Sequence, residues 1–189
     1  MRKGDYIGTY SGIHFYPLDP RPEDVKLTDI AHALANICRF NGHTKRFYSV
    51  AEHSLNVAWL LENRGCKPKT VLYGLIHDAA EAYVCDVPRP LKRSLKGYKD
   101  IERNVMMAIY QAFGIIEPAP YQKCMIDLAD NYILALEARD LMLNSSGWEL
   151  LETDPDDKLP IWDDVEYAFA VKLTELHHRV SKRTNDELK

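Results

Sequence analysis

From residue 28 onward, apolar side chains recur every three or four positions in runs cut apart by prolines and glycines, a periodicity that only helices satisfy. No strand-like run alternates with these segments, so a parallel sheet with crossover helices is excluded. The runs predict helices over 28–40, 49–63, 68–83, 98–113, 121–144 and 162–180. Thr28 or Asp29 caps the first, which ends near Phe40, before Asn41-Gly42. Ser49 caps the second, with Glu52 three residues on as capping-box partner. Pro68 opens the third, Gly114 ends the fourth, and Ser145-Ser146-Gly147 stops the fifth. Residues 1–26 read as an extended segment in which Tyr10-Ser11-Gly12 turns one short strand back on another. The tail over 181–189 is expected to fray.

The expectation is therefore an all-α bundle of about six helices with a short N-terminal β-hairpin, one domain over 1–189. A chain 46% hydrophobic and 28% charged has the makeup of a globular core. Its four cysteines, Cys38, Cys66, Cys85 and Cys124, form no C-x-x-C pair and read as reduced thiols. A net charge of −4 argues against duplex nucleic acid as partner, whereas a small phosphorylated ligand needs only a local basic pocket. Neither a signal peptide nor a membrane span is legible, which predicts a cytoplasmic protein. The oligomeric state is left open.

The chemistry concentrates in Ile76-His77-Asp78-Ala79-Ala80-Glu81-Ala82-Tyr83-Val84-Cys85-Asp86. On a helix Glu81 falls one turn beyond His77 and Asp78, which gathers an imidazole and two carboxylates. Standing alone, such a His-Asp pair is more often solvated or capping. Here His53 lies on the inward face of the preceding helix, and Asp130 on a helix lined by Ile126, Ile133 and Leu134. Polar groups from several helices that converge in a bundle core suit a divalent cation, imidazole favouring Zn, Co, Ni and Fe and carboxylate also accepting Mg and Mn.

His53, His77-Asp78 and Asp130 follow the order and spacing of the H…HD…D signature, and the chain resembles the HD-domain metal-dependent phosphohydrolases. The resemblance is strongest over 47–54 and 77–92, and closest to small members such as 5′-deoxynucleotidases and phage-type deoxyadenosine triphosphatases. It implies an enzyme that cleaves phosphate from deoxynucleoside mono- or triphosphates or their analogues. By the resemblance His53, His77, Asp78 and Asp130 bind one metal ion, Glu81 orients or deprotonates the attacking water, and Asp86 stands near the sugar and catalytic centre. Arg39-Phe40 takes the place of an Arg-Trp pair that contacts phosphate and base, with a phenyl ring for the indole.

Lys92 matches a lysine that faces phosphate in these relatives, and a surface role is equally open. The loop Gly42-His43-Thr44-Lys45-Arg46 offers donors to a polyphosphate; His43 is assigned to substrate, whereas Lys45 and Arg46 read equally as a solvated basic loop. His14, His32, His177 and His178 read as structural or exposed. No histidine lies between Asp78 and Asp130, which favours a mononuclear site and disfavours a di-iron oxygenase. A non-catalytic nucleotide-sensing module is the other alternative.

Overall fold

The computed structural model describes residues 2–186, with side chains through residue 182. Among the described residues the chain is all-α apart from a two-stranded hairpin, β1 (Ile7–Gly8) and β2 (His14–Phe15), paired antiparallel with Ile7 opposite Phe15. Helices follow as α1 (Leu27–Asn36), α2 (Val50–Asn63), α3 (Pro68–Leu75), α4 (Glu81–Val84), α5 (Arg89–Lys92), α6 (Tyr98–Ala112), α7 (Pro120–Leu141) and α8 (Val165–Asp186). The tail expected to fray from residue 181 is helical to Asp186, and 187–189 lie outside the described residues. Among the described residues no helix is long and apolar enough to cross a membrane.

The organising element is α2, which packs on α1, α3, α7 and α8 and is buried nearly all round. Ser49 Oγ accepts from the Glu52 N–H at 3.1 Å, as its cap position predicts. The Glu52 carboxylate does not complete the capping box; Arg46 holds both its oxygens, at 2.6 and 3.0 Å. Gly74 lets α3 approach α2 closely, because a Cβ there would collide with Leu61, itself 1% exposed.

Three of the helices expected from the sequence are redrawn as well. The helix expected over 68–83 breaks after Leu75, continues through 3-10-like bonds such as Ala79 N–H to Ile76 O and Glu81 N–H to Asp78 O, and resumes as α4. The cause is local: His77 Nδ1 lies 2.8 Å from the Gly74 carbonyl, the acceptor that an unbroken helix would give to the Asp78 N–H.

The helix expected over 28–40 starts at Leu27 and ends at Asn36. Asp29 is not its cap: the carboxylate binds the Ser11 N–H at 2.6 Å and hydroxyl at 2.8 Å, which ties the hairpin turn to α1. Beyond α1 the backbone bonds Arg39 N–H to Tyr48 O and Val50 N–H to Ile37 O close a loop at its base. Inside it Phe40 and Asn41 are left-handed, at φ 53° and 52°, a conformation that opposes helix continuation.

On α7, which stops at Leu141 rather than near 144, Met125 and Leu128 face outward. The buried stripe is Ile126, Ala129, Ile133 and Leu136, at the three-to-four spacing that a helix presents to one side.

Candidate metal centre and its surroundings

Four of the sequence-predicted residues meet where α2, the turn after α3, and α7 converge. His53 Nε2 lies 3.4 Å from His77 Nε2 and 3.1 Å from Asp130 Oδ1. One donor atom each from His53, His77 and Asp130 fits within 4.8 Å of the others. Asp78 Oδ2 sits 3.2 Å from His77 Nε2 and 3.9 Å from His53 Nε2, and leans on Arg39 Nη1 at 3.7 Å. The His53 side chain is fully buried, whereas Asp78 and Asp130 keep 24% and 20% exposure, so the cluster opens towards solvent on its carboxylate side.

The hydrogen bonds behind the rings decide which nitrogens are free. A carbonyl only accepts, so His77 Nδ1 carries the hydrogen it shares with Gly74 O. His53 Nδ1 likewise faces the Glu137 carboxylate at 2.6 Å. Both Nε2 atoms therefore turn on one another, and each lone pair needs either a proton or a cation there. Burial works against protonation of both rings. For His77 the Asp78 charge and hydrogen bond, Asp130 and the Gly74 carbonyl overcome it and raise the pKa to about 9. For His53, burial and the Arg39 charge are overcome by Glu137 and Asp130, and the pKa rises. Against their own burial, Asp78 is held well below the usual carboxylate range by His77, His53 and Arg39. Asp130 is held at about 2 by His53 and His77. Two imidazoles and two carboxylates with these second partners fit a divalent cation.

Arg39 is buried between Glu137 Oε2, at 3.2 Å, and Asp78. Glu137, Asp78, Asp130 and Asp86 keep it charged despite desolvation. Arg39→Ala would leave Glu137 buried with its cationic partner gone, which typically costs about 3–5 kcal/mol. The expected outcome is a melting temperature lower by roughly 6–20 °C, read by circular dichroism; a shift under about 2 °C would show the pair to be dispensable.

Glu81 is buried, and among the described residues its Oε2 finds no hydrogen-bond partner, nor does the buried Nε of Arg39. Orphaned polar atoms beside such a cluster call for a ligand or water. Burial first, and then the charges of Asp78 and Asp86, push the Glu81 carboxyl up to about 10 against Arg39 and Lys92. Asp86 follows Cys85, a left-handed residue at φ 67°, and is raised by burial and Asp78 against Arg39. Lys92 lies 3.9 Å from Glu81 Oε1 and pairs with Glu102.

Phe40 is half-buried, its ring under the Arg39 guanidinium at 5.4 Å and beside Trp148, with centroids 6.1 Å apart. His43 is exposed, and no hydrogen bond, ion pair or ring contact among the described residues joins its imidazole to the cluster. The two loop cations are committed to structure: Lys45 binds the Asp140 carbonyl at 3.1 Å and Arg46 binds Glu52. His14 stacks on Tyr6, His32 pairs with Glu166, and His177 meets the Phe113 carbonyl.

Sequence reasoning missed Glu137, Tyr48, Asn56, Trp148, Trp162 and Arg89. Arg89 reaches the outer oxygen of Asp130 at 3.1 Å. Glu137 carried a usable signal: it stands seven residues after Asp130, two turns along the same face of α7.

No family model matches the chain. It is similar to the uncharacterized protein YfdR of Escherichia coli (strain K12), 40% identical over 151 residues that cover 79% of this chain and 80% of that protein. An uncharacterized protein of Rhodobacter capsulatus is 38% identical over 151 residues, 76% of this chain and 74% of its own. With that identity sustained over most of both chains, the protein belongs to the same family as YfdR.

Proposed function

We propose that the protein is a metal-dependent phosphohydrolase of the HD type, acting on deoxynucleoside mono- or triphosphates or their analogues. The observation that carries this reading is the convergence of His53, His77, Asp78 and Asp130, with both Nδ1 atoms engaged and both Nε2 atoms turned inward. When bound there, a single divalent ion supplies charge neutralisation for a phosphoryl group and acidification of water.

The chain's own residues do the rest. Arg39, cationic at every working pH, brings its guanidinium beside Asp78 at the edge of the cluster, where it can meet a phosphate oxygen. Glu81 moves a proton at the reacting centre, and Asp86 lies close enough to share the field of Asp78 and Arg39. Lys92 serves phosphate once it leaves Glu102, and His43 supplies a further donor from the exposed loop.

The test is a panel of nucleotides with Mg, Mn and Co, read for phosphate against pyrophosphate or tripolyphosphate. Metal-dependent phosphate release that a chelator abolishes is expected. Nucleotide binding without turnover across the panel would point to a sensing module instead.

Phe40 gives that reading its selectivity. The left-handed backbone at Phe40, uncommon for a bulky residue, sets its ring beside Trp148 and Arg39, where a base can stack. Phe40→Ala is expected to raise KM about 5- to 150-fold, the equivalent of the ~1–3 kcal/mol that stacking contributes, with kcat little changed. Parental KM on the best substrate would remove Phe40 from the binding surface.

A further inference from the structure

A file of buried polar side chains runs from the Nδ1 edge of His53 to the segment before α8, and its direction is fixed by chemistry. The Trp162 indole N–H can only donate, so Asn56 Oδ1 accepts it, at 2.8 Å. The amide nitrogen of Asn56 is thereby turned to Tyr48 and donates to its hydroxyl oxygen, also at 2.8 Å. Tyr48 then has its own hydrogen to give, and it goes to Glu137 Oε1 at 2.8 Å. The same oxygen receives His53 Nδ1–H, while Oε2 receives Arg39.

His53, Glu137 and Asn56 are fully buried and Tyr48 equally so, which is an expensive place for polar groups unless each has its partner. Every donor points towards Glu137. A carboxylate that accepts from three donors is held ionised and in place, and an ionised carboxylate can offer His53 only an acceptor.

We propose that Glu137 is a positioning residue, which holds His53 with Nδ1 hydrogen-bearing and Nε2 turned on the cluster, and that Tyr48, Asn56 and Trp162 lock Glu137 in that role. The purpose of the arrangement rests on the metal-centre reading; its geometry does not. A consequence is long-range coupling: Trp162, 106 residues beyond Asn56, makes the docking of the segment before α8 part of the site's support.

The test is ¹H–¹⁵N NMR of the histidine side chains in the full chain without added metal. His53 is expected to show a far-downfield Nδ1–H resonance, as a 2.6 Å contact to a carboxylate requires. Glu137→Gln should move it upfield, and Trp162→Phe and Tyr48→Phe should shift it by smaller steps while circular dichroism stays parental. An unmoved resonance in Glu137→Gln, or a hydrogen found on Nε2 instead, overturns the proposal.

If Glu137→Gln does not fold, Trp162→Phe decides, because it touches neither His53 nor Glu137. Cobalt titration by calorimetry is the second readout, with affinity expected to fall ~10–100-fold in Glu137→Gln, and parental affinity would overturn the positioning role. A parent chain that binds no cobalt would refute the metal reading, and the NMR result would still decide the role of Glu137.

Discussion

His77→Ala is expected to abolish both divalent metal binding and phosphate release. His77 Nε2 faces His53 Nε2 at 3.4 Å and Asp78 at 3.2 Å, so the substitution removes a nitrogen that meets both the buried imidazole and a partly exposed carboxylate. On the metal reading the loss should exceed the ~10–100-fold that follows from weakening a supporting partner, since a ligand nitrogen itself would be gone. Asp78→Ala should act in the same way and also free Arg39 on one side. Asp130→Asn keeps size but not charge, and should leave weak binding at high metal concentration. Elemental analysis with calorimetry reads all three. Stoichiometric metal retained in His77→Ala would refute the assignment of ligands.

Glu81→Gln is the second large effect: turnover should fall by about 10²–10⁴ with metal affinity unchanged. The amide fills the same buried space but can neither release nor accept a proton at neutral pH. The resemblance implies that Glu81 serves the attacking water as a base, whereas its carboxyl, pushed to about 10 by burial and then by Asp78 and Asp86, holds a proton at neutral pH. That form suits donation to a departing oxygen. A positive charge beside Asp78 offsets part of this shift and lowers the value again. The pH dependence of kcat separates the roles: a donor loses activity as pH rises through its pKa, a base as pH falls through it. Near-parental turnover in Glu81→Gln would show that neither role is needed, and lost metal would make Glu81 a ligand.

The four residues that converge were legible because His53, His77, Asp78 and Asp130 are chemically conspicuous and stand at helical spacing among apolar neighbours. The all-α class was legible for the same periodic reason. What escaped lies where tertiary contact overrides local pattern. The break after Leu75 arises because an imidazole competes with an amide for one carbonyl, and periodicity carries no trace of that contest. Met125 and Leu128 extend a second apolar stripe on α7 that overlaps the buried one, and only packing against α2 and α3 selects between them. Tyr48, Asn56, Trp148 and Trp162 come from loops and a central helix with no local marker of shared purpose.

The two imidazoles of the cluster come from backbones of unequal firmness. His53 rides on the helix that four others enclose, whose amides should be among the last to exchange with deuterated solvent. His77 sits on a run of three-residue turns, whose poorer hydrogen-bond geometry yields at lower cost. If the proposed metal binds, a change of ion radius is expected to be taken up on the His77 side, with His53 as the fixed reference. On that reading the break after the third helix, rather than the enclosed helix, is where the site would give.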